Sequence, residues 1–536
     1  MPEVSKKYLY ILVLVGVIIF MSNLDVMYVN IMEARNFITA REMVNMDNWL
    51  LTTMNAEPRY EKPPLPTWFT ALSAMLFGFN SLFALRLPAA LLALFLLFYF
   101  FRLIPRLKIG QKQAFLASLI LASSFYIIFA GRNGQWDIFT HGFMMAAIYY
   151  LWKFFGQTHG LYKNALLAAL FFGFSFMSKG PVSLYALLLP FLIAYGVVYG
   201  LKGFSRKKKP FLLFLFTAII ISGWWFLYVR LVDPVAFTRI TTVETTRWAN
   251  YNVKPFYYYW SFFTQSGIWT IPAFVGLLYP YLKRRVCNHK AYVFSLLWTL
   301  SAVILLSIIP EKKARYLLPV MIPLALNTSF YIEYLFRKFR EMPLKEKWVV
   351  YFNHGLIAAI GIVFPVGAYF VLDLEGYWFW YVMTSIILFG IGAAIIYFLK
   401  KQKYPKVFYL TVVFICGIML TGFPLTYALL ENPKFRNISE LQNKYEFNIY
   451  ELRNTTPELI WEYGEPISNL SEEEVLQLDD EKMGLLLMEK DSVFVQQQDR
   501  FRIISSERYD LNYVHPEKSG YKDRLIRRFY VLEKKE

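Results

Sequence analysis

Residues 33–64 read EARNFITAREMVNMDNWLLTTMNAEPRYEKPP, a polar stretch between long apolar segments. It carries Glu33, Arg35, Arg41, Glu42, Asp47, Arg59, Glu61 and Lys62, and ends in Pro63 and Pro64. A loop that only joins two membrane spans needs solubility, and scattered charges would supply it. Here Arg35 and Arg41 are interleaved with Phe37, Ile38, Ala40 and Met43. That pattern predicts an amphipathic helix lying on a bilayer surface with its charged side offered to a ligand. Pro63 and Pro64 cannot extend that element but suit the first turn of the next.

Working outward, the chain is 57% hydrophobic and 19% aromatic over 536 residues, far outside the usual soluble range. Many of its apolar runs approach the roughly 20 residues that cross a bilayer. A polytopic, all-α membrane protein follows. The formal charge of +18 is not gathered into one patch. It recurs as short basic clusters between apolar runs, the pattern of cytoplasmic loops, so nucleic acid is not an expected partner. Cys287 and Cys416 lie in different segments, which argues against a disulfide or thiolate site.

Charge asymmetry orders the spans. Residues 65–80 are short and interrupted, and two placements compete. If they lie in the interface rather than crossing, every basic cluster falls on one side: Arg102 to Lys112, Lys202 to Lys209, Lys283 to Lys290, Arg337 to Lys347 and Lys400 to Lys406. The expected spans are then about 8–28, 83–102, 113–131, 137–155, 164–178, 181–199, 210–231, 257–282, 291–309, 316–335, 348–372, 377–399 and 407–429, or about thirteen. The amino terminus lies inside, while the first loop and the tail lie outside. Residues 1–430 form the membrane domain. Residues 431–536 change to mixed, charged sequence with alternating stretches such as KMGLLLM, read as a small soluble α/β domain.

On this topology acids and bases gather at the outer ends of the spans. The first loop offers Glu33, Arg35, Glu61 and Lys62, and the turn RNGQWD brings Arg132 and Asp137. SKGP places Lys179, the loop after the 210–231 span adds Glu244 and Arg247, and PEKKARYLLP adds Glu311, Lys312, Lys313 and Arg315. Plainer explanations exist: Asp137 at a helix start is a common cap, and Lys179 at a span end can snorkel. Arg247 reads equally as a loop charge, and His141 as packing. Clustered Lys and Arg at a membrane surface suit a lipid-borne phosphate. A carboxylate beside them serves as a general base or holds a divalent ion. Together these describe group transfer from a polyprenyl phosphate at the outer face. Glu33 and Asp137 are both candidate bases.

Several of these pieces resemble one family. Glu33-Ala34-Arg35, Ala40 to Met43, Tyr60 to Leu65, Arg86 to Pro88, Lys179 to Pro181, Lys254 to Tyr258 and Arg315 to Pro319 are similar to the aminoarabinose transferases that modify lipid A. They also resemble the wider protein O-mannosyltransferase-like superfamily, over roughly the first 335 residues. The resemblance implies a GT-C fold, a polyprenyl-phosphate sugar donor and inversion at the sugar carbon. Charge clustering makes Arg35, Lys179, Arg247, Lys312 and Arg315 candidates for the donor phosphate; the resemblance implies that Lys62 binds that phosphate and that Lys179 lines the site. It further implies that Glu61 is a metal ligand and that Asp137 lines the site. The chain departs from the family twice. Met32 stands where relatives open their first loop with Asp, which leaves Glu33 as the neighbouring acid. Glu244 stands where relatives keep a histidine ligand, and an oxygen-only pair suits Mg or Mn better than Zn.

The expectation is an inverting membrane glycosyltransferase of a bacterial inner membrane. Its active site and C-terminal domain face the periplasm, and it acts on a lipid, glycan or protein acceptor. No organic cofactor is expected, since no glycine-rich phosphate loop occurs. The alternatives are a non-catalytic relative, suggested by Met32, and a flippase or transporter, which would keep its ionisable residues near mid-span.

Overall fold

The computed structural model describes residues 5–200, 204–453 and 455–535, so Lys202 of the basic clusters lies outside the described residues. It opens with α1 (Lys6–Met21), α2 (Ile31–Asn45) and a two-residue hairpin, β1 (Thr53–Met54) and β2 (Glu57–Pro58). α3 (Leu65–Phe77) starts directly after Pro64 and stops at Gly78. At about 1.5 Å per residue it is too short to cross a bilayer. Leu72, Met75, Leu76 and Phe77 are exposed on it, whereas Thr67, Thr70 and Ala71 are buried. It has the form of the expected interfacial helix.

The bundle continues with α4 (Leu82–Leu103), α5 (Gln111–Ala122), α6 (Phe125–Gly131), α7 (Asp137–Gly156), α8 (Leu161–Lys179), α9 (Leu189–Tyr199) and α10 (Lys208–Val232). α11 (Pro234–Asn250) is mostly exposed among its described residues, with Ala236 buried, and carries Glu244 and Arg247. After it come α12 (Thr270–Leu277), α13 (Tyr279–Leu282), α14 (His289–Ile308), α15 (Leu318–Lys338), α16 (Leu344–Val371), α17 (Trp378–Lys400), α18 (Tyr404–Gly417) and α19 (Leu425–Leu430). Among the described residues, seven helices are long and apolar enough to cross a membrane, and an eighth if α5 and α6 count as one bent span. This is an integral membrane protein. Apolar side chains such as Phe216, Ile219, Val366, Phe370 and Ile386 stand exposed on α10, α16 and α17, where lipid would cover them.

Several of the thirteen expected spans are not single straight helices: 8–28 is helical only to Met21, 181–199 opens as a π-helix, and 407–429 breaks before α19. The 113–131 segment bends by 68° between α5 and α6. At the break, the Ser123 and Ser124 hydroxyls donate to the carbonyls of Leu119 and Ile120 at 2.6 and 2.7 Å, a local competition that bends helices. The 257–282 segment is not one helix. It runs as short 3-10 turns, then α12 and α13, with Gly267 at φ +67° and prolines at 272 and 280.

The tail is the expected α/β domain. α20 (Glu440–Lys444), β3 (Ile449–Leu452), α21 (Pro457–Tyr463), β4 (Ser468–Leu470), α22 (Glu472–Gln477), β5 (Lys482–Leu487), α23 (Ser492–Gln497), β6 (Phe501–Asp510) and β7 (Ile526–Lys534) build it. The sheet order is β4-β3-β5-β7-β6, with β3 parallel to both neighbours and β7 antiparallel to both of its own. On β5, Leu486 packs toward Leu441 and Leu459, while Met483, Leu485 and Leu487 pack toward Val475 and Val495. Helices therefore cover both faces of the sheet, as the period of two requires.

This domain corrects the reading of α2. The helix does not lie on the bilayer with a free charged side. Glu33, Asn36, Phe37, Ile38, Ala40 and Glu42 are all buried, because α3 and α21 pack against the helix while Arg86, Gly134 and the β1–β2 hairpin hold its polar side chains. Arg41 donates to the carbonyls of Ile460 and Trp461 at 3.0 and 3.4 Å and stacks over the Trp461 ring. Asn55 and Ile467 exchange two hydrogen bonds at 2.7 and 2.8 Å. The first loop and the tail thus lie at the same end of the bundle.

Candidate active site

The expected cluster of charges is a cavity of about 650 Å³ at that end of the bundle. Arg35 enters it from α2, and Arg59, Glu61 and Lys62 from the loop before α3. Lys179 comes from the last turn of α8, Glu244 and Arg247 from α11, and Glu311, Lys313, Arg315 and Tyr316 from the loop before α15. Among the described residues this makes seven cations against three carboxylates. Lys179 at a helix C-terminus and Asp137 in the first turn of α7 are each favoured by the helix dipole. Their side chains pair at 2.5 Å, both nearly buried.

Beside this cavity runs a second one of about 410 Å³, lined by Phe125, Tyr126, Phe129, Ile138 and Leu318. Ile31, Met32, Ala314 and Arg315 line both, so an apolar groove abuts a cationic chamber. Asp137 and Gln135 lie on the groove side of that boundary.

The charges in the chamber are only partly matched. Glu311 is held by Lys313 at 2.6 Å and by the Tyr316 hydroxyl at 3.2 Å. Glu244 faces Arg247 at 3.0 Å and Lys62 at 3.8 Å, and Arg59 lies 3.7 Å from Glu61. The Nε atoms of Arg35 and Arg315 and Oε2 of Glu61 are buried without a hydrogen-bond partner. Polar atoms of this kind cost about 1–3 kcal/mol each unless a ligand meets them. Burial pulls the Lys62 ammonium down to about 8, and the like charges of Lys179 and Arg59 act in the same direction against Glu244 and Glu61. A group in that state gains from an incoming anion.

Three of the expected roles change. Glu33 does not line either cavity. It is 1% exposed and bound by Arg86, Gly134 and Asn30, so it is not placed to take a proton from a substrate. The cause is helical register, because one residue on a helix turns the side chain by about 100°. Met32 faces the cavities instead. Lys312 is not in the chamber either. Its ammonium is buried and donates to the carbonyls of Ile309 and Lys254 at 2.6 and 3.0 Å, pinning two crossing loops. Its neighbour Lys313 takes the place in the lining. Arg132 likewise donates to Ile19 and Asn23 carbonyls, both at 2.8 Å, and stacks on Phe423, away from the chamber. Arg59 and Lys313 complete the cation set. Arg59 was legible as a charge two residues before Glu61, but nothing in its spacing marked it.

Glu61 and Glu244, the expected metal ligands, both line the chamber. Each carboxylate already faces cations, and among the described residues no group of three or more His, Cys, Asp or Glu is placed to hold a metal. Seven surrounding cations oppose a further positive charge.

Known proteins bear on this arrangement. Residues 61–226 match the family described as dolichyl-phosphate-mannose-protein mannosyltransferase. The undecaprenyl phosphate-alpha-4-amino-4-deoxy-L-arabinose arabinosyl transferase of Serratia proteamaculans is 26% identical over 348 residues, 62% of this chain and 60% of that one. An Aquifex aeolicus protein without an assigned activity is 26% identical over 321 residues, 58% of this chain and 61% of its own. The matched region spans about three fifths of these relatives' own length. Among solved structures, ArnT from Cupriavidus metallidurans bound to undecaprenyl phosphate superposes with a TM-score of 0.69, at 15% identity and 98% coverage of both chains. The same protein in the apo state gives 0.70 at 16%. The chain therefore has the ArnT-type fold, and the likeness read from its motifs to aminoarabinose and protein mannosyl transferases holds.

Proposed function

We propose, from this shared fold, that the chain is an inverting membrane glycosyltransferase. It takes a sugar from a polyprenyl phosphate and passes it to a lipid, glycan or protein acceptor at the periplasmic face of a bacterial inner membrane. The observation that carries the reading is the cationic chamber abutting an apolar groove, with the Asp137–Lys179 pair beside their shared wall. A phosphate on a lipid chain needs both surfaces at once. The relatives named for undecaprenyl-phosphate donors support the same class of donor.

The chemistry follows from the charges. The donor phosphate occupies the chamber against Lys62, Arg35, Arg247 and Arg315, and the prenyl chain or an acceptor chain takes the groove. Asp137 accepts the proton of the acceptor hydroxyl as that oxygen attacks the anomeric carbon. The new carbon–oxygen bond forms on the face opposite the phosphate, the bond to the phosphate oxygen breaks, and the configuration inverts. The polyprenyl phosphate leaves with one more negative charge, which the preset cations stabilise without reorganising. No step is routed through a metal.

The test is transfer by the purified full chain in nanodiscs, supplied with undecaprenyl-phosphate sugars and with lipid A or peptide acceptors, read by mass spectrometry. Glycosylated product from any donor supports the reading. No transfer, together with no saturable binding of undecaprenyl phosphate, overturns it.

Lys62 gives a sharper expectation. Lys62→Ala should lower kcat/KM for the donor roughly 10- to 100-fold, the value of one charge-assisted bond of about 1.5–3 kcal/mol. Lys62 is charged below its lowered value and neutral above it. Donor KM should therefore climb as pH rises through about 8. Lys62→Arg, whose guanidinium stays charged, should flatten that climb while binding less well, because its planar fork differs from a point charge. A pH-independent donor KM in the wild type removes Lys62 from the phosphate site.

A further inference from the structure

Glu33, displaced from the role of base, has five donors on its two oxygens. Arg86 Nε and an Arg86 terminal nitrogen reach it at 2.7 and 3.0 Å, the Gly134 N–H at 2.9 Å, and the side chain and N–H of Asn30 at 2.8 and 3.3 Å. Capping α2 requires only the Asn30 contacts, which form a reciprocal capping box. The bond to Gly134 belongs to a different element, the turn between α6 and α7.

Asn36 completes the picture. It lies three residues further along α2, on the same face as Glu33. Its side-chain amide donates to the Gly134 carbonyl at 2.8 Å, and its oxygen accepts from the Thr67 hydroxyl at 2.7 Å. One residue of the turn is thus gripped at both its N–H and its C=O from a single helix face. The approach is close enough that a Cβ on Gly134 would fall 2.3 Å from the Phe37 ring. Three residues beyond Gly134 the chain delivers Asp137, and on the gripping helix Met32 and Arg35 line the chamber.

Resting on the transfer reading above, we infer that Glu33 and Asn36 are positioning residues, which clamp Gly134 and so set Asp137 relative to the cationic chamber. The acid beside Met32 acts on the reaction through the backbone of the neighbouring turn. Arg86 balances its charge and fixes its rotamer, so that the carboxylate presents one oxygen to Gly134 in a constant direction.

The clamp orients the base but does not bind phosphate, so its loss should fall on kcat. Glu33→Gln and Asn36→Ala are each expected to lower kcat about 10- to 100-fold, the scale of a small misplacement of reacting groups. Donor KM should stay within about threefold of wild type. Asn36→Ala keeps the Glu33–Arg86 pair and serves if Glu33→Gln does not fold. Hydrogen exchange of the full chain supplies a readout independent of turnover: the peptide spanning 130–137 should exchange faster in both variants, with peptides at 59–64 unchanged. Unaltered exchange at 130–137, or a raised donor KM at constant kcat, overturns the inference and leaves the transferase reading standing. Absence of transfer in the wild type overturns the transferase reading, and the inference with it.

Discussion

Asp137→Asn should cut the transfer rate roughly 10²–10⁴-fold, the usual cost of removing a general base. The substitution keeps shape and leaves a hydrogen-bond acceptor for Lys179, which lies 2.5 Å away, so the local fold is expected to survive. What it removes is the ability to take a proton. In the wild type the rate should therefore fall on the acid side as the carboxylate protonates, and in Asp137→Asn that limb should flatten. The clamp variants behave differently, since they move the base without deleting it. Their rates should drop while the acid limb keeps its shape. Near-normal turnover in a folded Asp137→Asn protein would assign the proton to one of the three carboxylates of the chamber, Glu61, Glu244 or Glu311.

The largest expected loss of stability comes from Arg86→Ala. Arg86 and Glu33 are each 1% exposed and paired at 2.7 Å. Arg86 also donates to the carbonyls of Leu24 and Tyr28 at 2.9 and 3.2 Å, where the chain turns from α1 into α2. Removing one partner of a buried pair strands the other charge, at a cost of about 3–5 kcal/mol. Two loop carbonyls would be orphaned as well. The double variant Arg86→Met with Glu33→Gln should recover part of the loss, because no uncompensated charge remains. Denaturant midpoints in detergent measure this, and an Arg86→Ala midpoint equal to wild type would show that the pair does not hold the loop. The arrangement also gives Arg86-Leu87-Pro88 a physical meaning: its arginine secures the acid of α2.

Arginine and lysine side chains at span ends announced themselves without a structure. An ionisable group in or near hydrocarbon is costly enough to need a purpose. Lys62, Lys179, Arg35, Arg247 and Arg315 were legible for that reason, and all five line the chamber. The short helix at 65–77 was legible because prolines start it and too few apolar residues follow to cross a bilayer. The α/β character of the tail was legible in its mixed, charged composition and alternating stretches, whereas the burial of β5 on both faces came only with the structure.

Direction, by contrast, belonged to the tertiary structure. Sequence placed an acid at 33 and an apolar residue at 32, but which of them faced the chamber depended on how α2 was rotated against α3, α4 and α21. That rotation is set by Arg86, Asn36 and Trp461, whose partners lie tens to hundreds of residues away. Lys312 and Lys313 are chemically identical neighbours. Only the crossing of two loops, with carbonyls in need of a donor, turned one inward and left the other to line the chamber. Apolar length and charge cost are local properties that a single segment expresses alone. The facing of a side chain is a relation between segments, and it exists only once they pack.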